Sequence, residues 1–415
     1  MSRSPAPARQ GRRPPARFSP ERQLVLECVR RCFAAECGSR AEPAPEPEPD
    51  WDEAVELAFQ EGLAPLVYQG LASAAGPVPA AARAKLRAGH AGAALRAEAV
   101  VEPTLRGVLD ALGRAGIEPI VLKGAALAYT AYSEPAHRAF ADVDLLLAKG
   151  ELDEASRALL CLGFAMDGEE PEAGHHLRPH HAPGWQAGVE LHRSLLPEPN
   201  PYALDVGLLR ARSAVRTIAG VEARVLAASD ALLLACLHLA YAHRYRWFAL
   251  RGLIDVLAIT TRLGAELDWD ALLATVAASR TAGAVYWPLR LGRAWLGAPV
   301  PDRVLSSLAP PAPMRRLVAA VATPRYILDG EAPARRGSEV LYSLLLDLSL
   351  YSACPPGEQL GAAFGRIFPP REHVGHLPAA LARSPLRYAA YLGSPRRMAR
   401  GLTALGRLVR RALAE

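Results

Sequence analysis

The stretch FADVDLLLAKG, residues 140–150, sets two aspartates in a run that otherwise reads as a buried strand. Successive side chains of a strand point to opposite faces. Asp142 and Asp144 therefore share one face, and Val143, Leu145 and Leu147 share the other. Two residues of strand rise put the aspartates roughly 6–7 Å apart at the backbone. Unpartnered carboxylates on a largely buried strand are costly. A divalent cation removes that cost, and Mg²⁺ takes carboxylate oxygens together with substrate phosphates.

The flanking segments extend this pattern. Upstream, EPIVLKG (118–124) is a short apolar strand, and AALAYTAY reads as a helix that begins at Gly124. Amides at a helix N-terminus favour phosphate, and glycine allows close approach of the backbone. Lys123, Gly124 and Ala125 are thus candidate nucleotide contacts, and Arg138, in the loop SEPAHRAFA (133–141), is a candidate phosphate ligand. Downstream, HHAPGW (180–185) and GVELHRSL (188–195) read as a strand pair, the second carrying Glu190 and His192 on one face. A neighbouring strand can set Glu190 beside the aspartates. Three carboxylates around Mg²⁺ or Mn²⁺ can activate a hydroxyl and neutralise a triphosphate. His181 and His192 are candidate substrate contacts. The tract HHLRPHH offers His175, His176, His180 and His181, residues that can bind zinc. No cysteine lies near, and the spacing is not that of a helical zinc motif. We read it as part of a strand beside the site.

The order LKGAALAYTAY, HRAFADVDLLLAKG, VELHRSL resembles the DNA polymerase beta-type nucleotidyltransferase superfamily. Within it the resemblance is to a largely uncharacterised bacterial branch with a Lys-Gly helix start, an arginine before the aspartate pair and a following strand of the VELH type. The segments DWDEAVELAFQEGLAPLVYQGL (50–71), LIDVLAI (253–259) and DWDALL (268–273) resemble that branch too, and FPPREHV (368–374) is a weaker echo. The resemblance implies an α+β fold in which a small mixed β-sheet nucleotidyltransferase core is flanked by helices. It also implies NTP and Mg²⁺ as ligands, with NMP passed to an unidentified hydroxyl acceptor. Two departures stand out. Gly124-Ala125 replaces the usual Gly-Ser or Gly-Gly, and Arg193 stands where the branch often has an aromatic residue. The first motivates an alternative, a catalytically degenerate nucleotide-binding or protein-interaction module on the same fold.

The rest of the chain sets the context. Its 415 residues are 51% hydrophobic, with a formal net charge of +6. That is enough chain for more than one structural unit. The charge permits contact with nucleic acid but does not demand it. The six cysteines form no pair of CxxC elements, which argues against a zinc ribbon and fits a reducing cytoplasm. No apolar run reaches the ~18 residues of a membrane span. The opening residues 1–18 read as a disordered basic tail. Residues 19–100 read as a helical segment, opened by Ser19-Pro20 and interrupted by the Pro/Glu-rich linker 40–49. Residues 101–200 are the nucleotidyltransferase core, and 201–415 a mostly helical C-terminal region ending in a basic helix from Ser394. Within it, Ser229 is expected to cap a helix, and His238 and Asp255 to make structural polar contacts. The two DWD elements, at Asp50 and Asp268, hint at a repeated helical hairpin.

Overall fold

A computed structural model of the chain describes residues 18–37, 48–72, 77–140, 142–166, 176–182, 185–196, 200–245, 249–321, 323–328 and 346–359. The basic tail, the linker at 40–47, the FPPREHV segment and the basic helix from Ser394 lie outside the described residues.

A mixed sheet positions everything else. Its strands are β1 (Ile120–Val121), β2 (Asp142–Leu146), β3 (Ala165–Met166), β4 (His180–Ala182), β5 (Trp185–His192), β6 (Ala214–Ile218) and β7 (Val221–Val225). They lie side by side in the order β3-β4-β5-β2-β1-β7-β6. β2 runs parallel to β5 and antiparallel to β1. The expected pairing of HHAPGW with GVELH is the antiparallel β4–β5 pair. Helices flank the sheet, so the fold class is the α+β arrangement expected.

Alternation along β2 divides the molecule. Val143, Leu145 and Leu147, all fully buried, join Val189 and Leu191 of β5 in a core built with helices Glu102–Arg114 and Leu152–Cys161. The opposite face carries Ile120 and Leu146 into a second, larger core. That core is formed with the helices before and after the sheet, including Pro20–Cys37 and Ala249–Arg262. Asp144, Glu190 and His192 lie on this second face, where the sheet meets the helical remainder of the chain.

Two expectations need correction. The mostly helical region expected from 201 on also contains strands: β6 and β7 form a hairpin there, and β7 pairs in parallel with β1. The turn is Ala219-Gly220, both at positive φ (51° and 79°), which matches the twist of a two-residue hairpin. Its strands are short and largely half-exposed, so they lack the apolar run that marked β2. Ser229 is not a cap. Its helix starts one residue earlier, at Ala228, and the Ser229 hydroxyl instead bonds the backbone of Asp268 in both directions, donating to its carbonyl (2.9 Å) and accepting from its amide (3.0 Å). The two DWD elements do play one role. Asp50 and Asp268 each cap a helix by accepting two backbone amides. Among the described residues, no helix is long and apolar enough to cross a membrane.

Candidate active site

The site begins where β1 becomes a helix. Leu122 is extended, and Lys123 opens helix Lys123–Thr130 with φ 47°. A left-handed lysine is a strained choice that persists only when its surroundings hold it. Here the Leu122 amide donates to the Asp144 carbonyl at 2.9 Å. The Lys123 ammonium reaches Asp144 Oδ1 at 2.6 Å. The glycine that follows serves close packing. A Cβ at Gly124 would lie 2.7 Å from Phe140 Cβ and 3.4 Å from an Arg138 nitrogen. Gly124 and Ala125 are both buried.

The parallel β2–β5 register sets Asp142 opposite Gly188, Asp144 opposite Glu190 and Leu146 opposite His192. His192 Nε2 lies 2.7 Å from Asp144 Oδ1 and 3.3 Å from Glu190 Oε2. Asp144, Glu190 and His192 each bring a ligand atom within 4.8 Å of the others. This tight group differs from the expected carboxylate trio: His192 is in it, and Asp142 is one pleat away on the same face. His192 is fully buried. Expected as a substrate contact, His192 here bridges the two carboxylates. His176, not singled out as a site residue, packs its ring edge-on against His192 and comes within 3.9 Å of Glu190.

The histidine tract is split by the same alternation. His180 is buried on the opposite face, 3.0 Å from the Ser156 hydroxyl. His181 is exposed, and its ring lies against Gly188, 2.8 Å from where a Cβ would sit. Gly188 is the partner of Asp142, so His181 stands at the solvent-facing end of the site. His175 lies outside the described residues.

Arg138, the expected phosphate ligand, is engaged within the chain. It forms a two-pronged pair with Asp255, Nε to Oδ1 at 2.7 Å and Nη2 to Oδ2 at 2.8 Å, and Nη1 donates to the Ala139 carbonyl. Tyr132 donates to the same Asp255 at 2.7 Å. Asp255 thus makes the structural contact expected of it and ties the loop before β2 to helix Ala249–Arg262. A cavity of about 140 Å³ adjoins the site, bounded by Lys123, Ala126, Leu127, Arg138, Asp255 and His238.

Charge organises the cluster. Burial would raise the Asp144 carboxyl, but the His192 hydrogen bond and the charge of Lys123 prevail and hold it far below the usual range. Burial also opposes ionisation of Glu190, and His192 again outweighs it. His192 is raised: burial disfavours its charge, but bonds to Asp144 and Glu190 restore it. For Asp142 the balance is reversed. Burial, then the negative charges of Asp144 and Glu190, push its carboxyl up.

A family model described as uncharacterised nucleotidyltransferase matches residues 47–297, more than half of the chain. The chain belongs to this family. The nucleotidyltransferase match spans the whole sheet and runs from the Asp50 cap through helix Ala249–Arg262, leaving helix Pro20–Cys37 outside it. No curated protein and no solved structure gives a significant match.

Proposed function

We propose that the chain is a divalent-metal-dependent nucleotidyltransferase of the DNA polymerase beta type, passing NMP from an NTP to a hydroxyl acceptor. The observation that carries this reading is the β2–β5 register, which gathers Asp142, Asp144 and Glu190 on one sheet face beside a lysine at a helix start. The donor set fits Mg²⁺ or Mn²⁺. The carboxylates are hard oxygen ligands, and Asp142 and Glu190 sit in a field of like charge that a cation would relieve. When bound, the metal would neutralise triphosphate charge and lower the pKa of a coordinated hydroxyl.

The chain's own groups then have distinct tasks. Asp142 and Asp144 would hold the metal, with Glu190 either its third ligand or the base for the acceptor. Lys123 and His192 both contact Oδ1 of Asp144, which keeps that carboxylate ionised and leaves its second oxygen for a ligand. Lys123 also lines the cavity, so its ammonium can turn from Asp144 to a phosphate. As that base, Glu190 would accept the acceptor's proton. The acceptor oxygen then bonds the α-phosphorus, the bond from that phosphorus to the bridging oxygen breaks, and pyrophosphate leaves. Arg138 positions rather than binds: held by Asp255, it fixes the loop that leads into Asp142. The Gly124 and Ala125 segment presents the helix N-terminus to the phosphates, and His181 meets substrate at the open end.

The test is labelled NTP with candidate hydroxyl acceptors, comparing the wild type with the Asp142→Ala, Asp144→Ala double variant. Label transfer and pyrophosphate release confined to the wild type support the reading. Undiminished transfer in the double variant removes it. The pairing of Lys123 with Asp144 motivates the alternative, a module that binds NTP without turnover. Metal-dependent NTP binding by calorimetry with no pyrophosphate over long incubation would select it.

A further inference from the structure

We propose that His90, Glu134 and His137 form a second metal site, of the zinc type, which fastens helix Ala80–Arg96 to the loop leading into β2. It is separate from the carboxylate face and does not rest on the nucleotidyltransferase reading. Each of the three residues offers a ligand atom within 4.8 Å of the others. His90 Nε2 and His137 Nε2 lie 3.9 and 3.8 Å from the same oxygen, Glu134 Oε2. Donors bound to zinc at about 2.0–2.1 Å in a tetrahedron stand about 3.3–3.4 Å apart, about half an ångström closer than each histidine stands to Glu134.

The second, independent sign of a ligand is the state of His137. Its side chain is 1% exposed, and its Nε2 is buried without a hydrogen-bond partner. Buried polar atoms left unmatched are rare and call for an explanation. The ring's other nitrogen, Nδ1, lies 3.1 Å from the Ser133 hydroxyl. Donation from Nδ1 to Ser133 leaves Nε2 as the lone-pair nitrogen aimed at Glu134, the arrangement that metal-ligating histidines adopt. His90 presents Nε2 to the same carboxylate oxygen. Its ring packs 5.7 Å from that of His137 and 5.4 Å from that of Tyr68. Glu134 is half-exposed and gives an ion a way in from solvent. Two imidazoles and one carboxylate select Zn²⁺ over Mg²⁺, which prefers oxygen and water.

The site's place gives it a task. Ser133, Glu134 and His137 all belong to the loop that delivers Arg138 to Asp255 and the chain to Asp142. An ion there would tie this loop to the helix that starts at Ala80, bracing the approach to the carboxylates from a distance.

Calorimetry on the full chain, stripped with chelator and titrated with Zn²⁺, tests this. His90→Ala keeps a strong helix former in its helix, and Glu134→Gln changes only an exposed side chain. Any zinc taken up by Asp144, Glu190 and His192 is common to all three proteins and cancels. The wild type is expected to bind one more equivalent than His90→Ala. Glu134→Gln should bind that equivalent about tenfold more weakly or worse. Zn²⁺, and not Mg²⁺, should raise the melting temperature of the wild type more than that of His90→Ala. Equal stoichiometry and affinity in the wild type and both variants would overturn the proposal.

Discussion

Asp144 and Glu190 face each other across the parallel pair β2 and β5, joined by one buried imidazole whose Nε2 is 2.7 Å from the first and 3.3 Å from the second. Two like charges are thereby held side by side, with His192 and Lys123 as the only counter-charges in direct contact with Asp144 among the described residues.

Removing the imidazole should therefore cost more than one hydrogen bond. In His192→Ala two carboxylates face each other at the edge of a core, and loss of one partner of a buried ion pair costs about 3–5 kcal/mol. Thermal unfolding should show a lower midpoint, with part of the loss recovered on adding Mg²⁺ or Mn²⁺. A variant as stable as the wild type without metal would show that His192 does not brace the pair.

The same three groups set a pH dependence of stability. Asp144 and Glu190 have depressed carboxyls, so their contribution is present above the ordinary carboxyl range and lost as pH falls through their folded values. His192 is raised, so its contribution is full below the ordinary histidine value and lost as pH rises through its folded one. The cluster should stabilise most between about pH 4.3 and 6.5. Chemical denaturation across pH for the wild type and His192→Gln would isolate it: the difference should narrow on the alkaline side.

Asp142 behaves in the opposite sense. Its carboxyl is raised by burial and by its acidic neighbours, so it keeps its proton to higher pH than an ordinary aspartate, and a cation competes with that proton. Divalent-cation affinity should rise with pH as Asp142 ionises, with a proton released on binding. In Asp142→Asn the slope should flatten. Calorimetry in buffers of different ionisation enthalpy measures the released proton directly.

Conservative loss of the carboxylates should separate their roles. Glu190→Gln, if Glu190 accepts the acceptor's proton, should lower kcat by about a hundredfold or more while NTP binding persists. Asp144→Asn should weaken metal-dependent NTP binding itself. Equal effects of both variants on binding alone would assign Glu190 to the metal and not to the proton.

Gly124 and the Arg138–Asp255 pair should report on packing. Gly124→Ala sets a methyl group 2.7 Å from Phe140 Cβ, and overpacking of this kind costs about 1–3 kcal/mol. Asp255→Asn strands a buried guanidinium and should destabilise by about 3–5 kcal/mol. The double variant Arg138→Met, Asp255→Leu should be markedly less destabilised than that single change. A double-mutant cycle read by urea unfolding supplies the comparison.

Much of this was legible in residues 118–195. Period-two alternation alone placed Asp142 and Asp144 on one face and Val143, Leu145 and Leu147 in the core. The strand-to-helix change at Lys123-Gly124 was marked by an apolar run meeting a helix-forming one. The β6–β7 hairpin was not legible, because short half-exposed strands carry little apolar signal and its pairing partner, β1, lies about a hundred residues earlier. Nor was the pairing of Arg138 with Asp255. Its neighbours in sequence suggested a phosphate ligand, while the partner that claims it, Asp255, is 117 residues away.

By itself, then, the sequence determined which residues share a strand face and where the chain changes from strand to helix, because backbone periodicity is a local property. It also determined that acidic and basic groups would meet near β2. Only the tertiary structure decided which of them touch. The parallel pairing of β2 with β5 fixed Asp144 against Glu190 and buried His192 between them. Had the register slipped by one residue, the same side chains would have pointed into the apolar core. Docking of the flanking helices then took Arg138 for Asp255 and brought His90 to His137. These pairings depend on long-range packing, which no local pattern encodes.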